Sequence, residues 1–128
     1  MNEVVFDASA ILALLQQEPG AEALTDEIRV NAVASTVNLA EVQGKLVKRG
    51  IPPETAWEDT LSAVAEPEPF TSRQASIAGS LITETQKYGL SLGDRSYLAL
   101  AIALKAPVYT TEQVWKNLKL GIPIHVIR

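Results

Sequence analysis

EVVFDASAILALL, residues 3–15, sets two apolar runs on either side of a single acid. Val4, Val5 and Phe6 have the character of a short buried strand, and Ala8 to Leu15 that of a helix, stopped by Pro19 and Gly20. A charge between two buried segments costs free energy unless something compensates it. Asp7 is therefore either the cap of the helix or part of a site. The carboxyl end of a parallel strand, where Asp7 would stand, is where open α/β folds bind ligands.

The rest of the chain repeats this alternation. Ala21 to Arg29 reads as a short helix, and Ala32 to Val37 (AVASTV) as a strand. Asn38-Leu39-Ala40-Glu41 opens a helix that runs to about Arg49, where Gly50 stops it. Pro52-Pro53 opens the next helix, with Trp57, Leu61 and Val64 on one face. Glu66 to Phe70 (EPEPF) must be extended, as a loop or an edge strand. Thr71 or Ser72 caps a helix carrying Ala75, Ala78, Leu81 and Ile82, which ends at Gly89. Ser91-Leu92-Gly93-Asp94 leads into Tyr97 to Leu104 (YLALAIAL), apolar all round and so expected to be central and buried. Pro107 to Thr110 is a strand, Thr111-Glu112 opens a short helix burying Trp115 and Leu118, and Pro123 to Ile127 is a last strand. The expectation is a single α/β domain over residues 1–128, a central parallel sheet with helices on both faces.

Composition narrows the chemistry. With 47% hydrophobic and 20% charged residues among 128, the chain can fill a core. The formal charge of −4 argues against a broad basic surface for nucleic acid, though not against a polyanion held locally or through metal ions. One histidine and no cysteine make a zinc site improbable, so carboxylates, hydroxyls, Lys and Arg must carry any reaction. No apolar run is long enough for a membrane helix, and Met1-Asn2-Glu3 lacks a basic leader, so a cytoplasmic location is expected.

Asp7, Glu41, Asp94 and Glu112 each fall at or near the start of a helix after a strand or at the mouth of the buried helix. In a parallel sheet these positions can share one edge. Each has a plain structural alternative. Asp7 can be an N-cap, Asn38-x-x-Glu41 and Ser91-x-x-Asp94 fit capping boxes, and Glu112 can be a first-turn acid worth ~0.3–1 kcal/mol to the helix dipole. Caps, however, do not require the four acids to meet. If they meet they repel, by about 1 kcal/mol per pair at ~4 Å even in water. A hard dication such as Mg²⁺, bound by a few carboxylates and several waters, relieves that, and it suits phosphodiester hydrolysis.

Four blocks, Phe6-Asp7-Ala8-Ser9-Ala10, Asn38-Leu39-Ala40-Glu41-Val42, Ser91-Leu92-Gly93-Asp94-Arg95-Ser96-Tyr97-Leu98-Ala99-Leu100-Ala101 and Tyr109-Thr110-Thr111-Glu112-x-x-Trp115, together resemble the PIN domain, and most of all VapC-type toxins of bacterial toxin–antitoxin pairs. The Asp94 block is the most specific of them. The resemblance implies a Mg²⁺- or Mn²⁺-dependent endoribonuclease with a PIN-like fold. Asp7, Glu41 and Asp94 match the family's acidic core and Glu112 its fourth acid, usually an Asp. Asp7 and Asp94 are then the direct metal ligands, Glu41 positions the metal or its water, and the longer Glu112 acts through water. Water would attack phosphorus in line and leave a 5′-phosphate. Ser9 and Thr110 or Thr111 would hold a water or a phosphate oxygen. Arg95, directly after Asp94, would by its own chemistry either meet a phosphate or simply balance the acids. The partners implied are an RNA substrate, a small antitoxin that covers the cleft, and a second copy in a homodimer, with no membrane.

Among the other polar and aromatic residues, Lys45, Lys48 and Arg49 fit either an RNA rail or a solvated helix face. His125 reads as structural or exposed, and Trp57 and Trp115 as core. Two other functions compete. A phosphoacceptor receiver domain suits the length, and Lys105-Ala106-Pro107 is faintly like its Lys-Pro, but an acidic pair after the first strand and an Asp after the third are missing. A non-catalytic binding protein of the same fold is the other.

Overall fold

The computed structural model describes residues 2–128; Met1 lies outside the described residues. Five strands, β1 (Val4–Phe6), β2 (Ala32–Ser35), β3 (Glu66–Glu68), β4 (Val108–Thr110) and β5 (Ile124–Val126), form one sheet in the order β3-β2-β1-β4-β5. Every pairing is parallel. The helices are α1 (Ala8–Gln16), α2 (Asp26–Arg29), α3 (Thr36–Lys48), α4 (Pro53–Ser62), α5 (Ser72–Ser80), α6 (Ile82–Thr85) and α7 (Leu92–Leu104).

Side chains alternate across the sheet as the strand period requires. Val5, Val33 and Val108 enter the core that holds α7, Trp115 and Leu118. Phe6, Ala32 and Ala34 enter the other, with Ile11, Leu39 and Val42 from α1 and α3. The expected sheet with helices on both faces is present.

α7 is the buried helix that its sequence predicts. Tyr97, Leu98, Ala99, Leu100 and Ala101 are all 0% exposed, so no stripe of the helix at this level reaches water. Its first turn is fastened by a capping box: Ser91 Oγ accepts from the Asp94 N–H at 3.1 Å, and Asp94 Oδ2 accepts from the Ser91 N–H at 3.0 Å. The Glu66–Phe70 stretch resolves to an edge strand. Pro67 sits there opposite Ala34, where a missing N–H is tolerated.

Three expectations need correction. β2 stops at Ser35 rather than Val37, because the Ser35 hydroxyl takes the Val37 N–H and starts α3 two residues before Asn38. Asn38 is thus inside the helix, and Asn38-x-x-Glu41 is no capping box. The helix expected over Ala21–Arg29 is two short turns, Ala21–Ala23 and α2, because the Thr25 hydroxyl caps a fresh start at Ile28 N–H. The helix expected from Ser72 to Gly89 breaks after Ser80 and continues as α6 and a 3₁₀ turn, Gln86–Tyr88.

Leu98→Ala removes buried methyl groups from a helix with no exposed side at that level. It should cost about 2–5 kcal/mol in urea unfolding, whereas the same change at exposed Leu92 should cost under about 1 kcal/mol.

Candidate active site

β1 and β4 are neighbours, and from them the chain runs outward in opposite directions across the sheet. A crevice opens at their carboxyl ends, the place where such sheets take ligands. Here a cavity of about 200 Å³ is lined by Asp7, Ala8, Ser9, Asn38, Glu41, Lys45, Ser91, Asp94, Tyr97 and Glu112. All four carboxylates singled out in the sequence are in its wall. They form a gradient: Asp7 is buried at the floor, Asp94 is half-buried, and Glu41 and Glu112 are exposed.

Asp7 is the helix cap that the sequence allowed, Oδ1 accepting from the Ala10 N–H at 2.8 Å, and it also lines the cavity. Two hydroxyls also donate hydrogen bonds to it. Ser9 Oγ lies 2.8 Å from both carboxylate oxygens, and Thr110 Oγ1 donates to Oδ2 at 2.7 Å. Each hydroxyl also accepts from backbone beyond β4: Ser9 from the Thr111 N–H at 3.0 Å, Thr110 from the Glu112 N–H at 3.0 Å. The ends of β1 and β4 are thereby latched around one carboxylate. Ser9 and Thr110 serve Asp7 first, and Thr111 enters through its backbone.

Burial pushes the Asp7 carboxyl up from 3.8 to about 6. The hydrogen bonds from Ala10, Thr110 and Ser9 favour the charged form and oppose the rise, and the charge of Asp94 adds to it. Tyr97, one turn after Asp94 in α7 and so on the same face, has its hydroxyl buried with no hydrogen-bond partner. Burial, then the neighbouring Asp7 charge, hold that phenol well above its usual range. Its ring stacks on Trp115, centroids 4.8 Å apart and planes 18° apart, which pins the 3₁₀ turn Gln113–Asn117 next to Glu112.

Glu41 reaches across from α3 to α7. The Asn38 amide donates to Glu41 Oε1 at 3.0 Å and to the Gly93 carbonyl at 3.0 Å. The glutamate lies so close to Gly93 that a Cβ there would come within 2.7 Å of its Cδ. Only a glycine allows this approach.

Each acid is thus held by its own neighbours, Asp7 by Ser9 and Thr110, Glu41 by Asn38, Asp94 by its capping box. Among the described residues, no three acidic or histidine side chains are set to enclose one ion. The donor set nevertheless suits a hard dication. It is all oxygen, and the buried Asp7 beside Asp94 is short of positive charge. Mg²⁺ needs only one or two direct carboxylates, its other positions being water.

Arg95 does not face the cavity. Adjacent helix positions point about 100° apart, and Arg95 turns to α5, where Nη1 donates to the Ala78 carbonyl at 2.8 Å. Lys45, one turn after Glu41, is the cation in the cavity wall. Asn38, Lys45, Ser91 and Tyr97 all share a helix turn with a predicted acid, a spacing that could have marked them. His125 is exposed and stacks on Tyr109, and Trp57 is half-buried against the second core. Asp59 lies within α4 and does not follow a strand.

The fold and cleft define an α/β protein with an acidic crevice where its parallel sheet changes direction. The chain belongs to the PIN domain family, whose sequence model matches residues 4–119. No curated protein sequence matches it. Similar solved structures include DNA-bound VapBC from Salmonella typhimurium (16% identity over 97% of each chain, TM-score 0.75). VapBC2 of Rickettsia felis, bound to a promoter DNA fragment, is 19% identical over 94% of this chain and 96% of that one, TM-score 0.73. VapC20 of Mycobacterium tuberculosis, a Sarcin-Ricin loop cleaving toxin, is 18% identical over 89% and 93%, TM-score 0.74. At such identities the likeness is one of fold.

The raised Asp7 value fixes a sign. Between pH about 4 and 6 the folded chain holds a proton that the unfolded chain has lost. The stability tied to this proton is present at low pH and lost as pH rises through about 6. In chelator, Asp7→Asn should therefore stabilise the protein at pH 7.5 by up to about 3 kcal/mol, with the gain vanishing near pH 4. Urea titrations at the two pH values check this; a loss of stability at both would contradict it.

Proposed function

We propose that this chain is a metal-dependent endoribonuclease toxin of a toxin–antitoxin pair. The observation that carries the reading is that Asp7, Glu41, Asp94 and Glu112, distant in sequence, line one cavity at the switch point of a PIN fold. In this reading Asp7 and Asp94 hold Mg²⁺ or Mn²⁺ directly, Glu41 positions the ion or its water, and Glu112 acts through water from the rim. A bound dication would supply a water of lowered pKa and offset charge gathering on the phosphate.

The chain's own residues do the rest. Ser9 and Thr110 fix the Asp7 carboxylate by donating to it, so its orientation is set before substrate arrives. Lys45 stands where a substrate phosphate would approach the acids, and takes the role first considered for Arg95. The similarity to VapBC complexes supports a small antitoxin that covers the cleft, and the family supports a homodimer. Among the described residues no helix is long and apolar enough to cross a membrane. A cytoplasmic enzyme acting on cellular RNA is the reading we adopt.

Purified chain free of partner should cut RNA with Mg²⁺ or Mn²⁺ and not in chelator. Asp7→Asn and Asp94→Asn should each lower cleavage more than about 100-fold, beyond what loss of an outer-sphere partner costs, with circular dichroism unchanged. Equal cutting in chelator would contradict metal catalysis.

A further inference from the structure

We propose that Asn38 is the positioning residue for Glu41, a neutral clamp that presents the glutamate to a cation in the cleft. The inference rests on the reading of the cleft as a dication site.

Three observations carry it. Asn38 is 1% exposed, yet it lines the cavity. Both protons of its amide are used, one toward Glu41 Oε1 and one toward the Gly93 carbonyl, each at 3.0 Å. Its Oδ1 is buried with no hydrogen-bond partner. The orientation of the amide follows from chemistry. A flip would set Oδ1 against a carboxylate oxygen and a carbonyl oxygen, three acceptors with no proton between them.

Glu41 itself is exposed and its side chain is long. Left alone it would sample several rotamers in water, and ordering it on an ion would cost conformational entropy. Asn38 removes that freedom beforehand. It ties the glutamate to the first turn of α7, the same turn that carries Asp94, so two acids from different helices are referenced to one backbone segment. Gly93 completes the seat, since any side chain there would displace the Glu41 carboxylate. The amide is suited to the task because it is neutral. A lysine or arginine would hold Glu41 equally well but would cancel the charge that the ion needs.

A role through Glu41 differs from a merely structural one in a double-mutant cycle read on Mn²⁺ affinity, measured by electron paramagnetic resonance of the free ion. Asn38→Ala should weaken Mn²⁺ binding about tenfold, the usual size of an outer-sphere effect. In a Glu41→Ala background the same change should have less than about a twofold effect, because nothing is left to position. Asn38→Leu keeps the side-chain volume while removing both donors, and should repeat the result if the alanine variant folds poorly. Equal losses in both backgrounds, or no loss in either, overturn the clamp while wild-type Mn²⁺ binding leaves the metal reading standing. A wild-type chain that binds no Mn²⁺ overturns both.

Discussion

The burial of the Asp7 carboxylate at the end of β1 is the constraint around which the site is arranged. The chain holds a charged group 3% exposed among two helix starts and a tyrosine, where its ionised form is disfavoured. Three hydrogen bonds from Ala10, Ser9 and Thr110 offset part of the desolvation. They do not offset all of it, since the carboxyl remains pushed up to about 6. A nearby second acid, Asp94, deepens the deficit. The fold therefore keeps a local shortage of positive charge that a bound cation would relieve.

The topology explains why this shortage can exist without unravelling the domain. Placing β1 and β4 side by side, with the chain leaving in opposite directions, opens a crevice that no connection has to cross. Behind it, α7 is buried at every position from Tyr97 to Ala101 and anchors the rear wall. The Tyr97–Trp115 stack joins that wall to the turn after β4. Asp94 and Glu112 are thus carried by rigid surroundings, and Glu41 by its clamp to Gly93. The acids are kept apart by local hydrogen bonds rather than pressed together. Such an arrangement limits repulsion among the acids.

Much of this was legible in the residues. The apolar run of α7, the VVF and PVYT strands and the Pro-bearing edge strand follow from patterning alone. Asp7 stood out because it separates two apolar runs, and Asp94 because it stands at the mouth of the buried helix. What was not legible turned on competition between hydroxyl caps and β-branched runs. AVASTV looks like six strand residues, yet the Ser35 hydroxyl ends the strand early and moves Asn38 from a cap into a helix. That shift hid the Asn38–Glu41 contact. Arg95 was misplaced for a related reason: adjacency in sequence to Asp94 is not adjacency on a helix face, and the guanidinium turns to Ala78. Thr25 broke a helix whose apolar spacing looked continuous.

The central claim is that the cleft is built to be neutralised by a dication. The most direct measurement is the titration of the Asp7 side-chain carbon by carbon-13 NMR, with and without saturating Mg²⁺. A midpoint near pH 6 in chelator is expected from its burial, and Mg²⁺ should move it down by at least about one unit. The same midpoint in both conditions would show that no ion reaches Asp7, and the account would be wrong at its root.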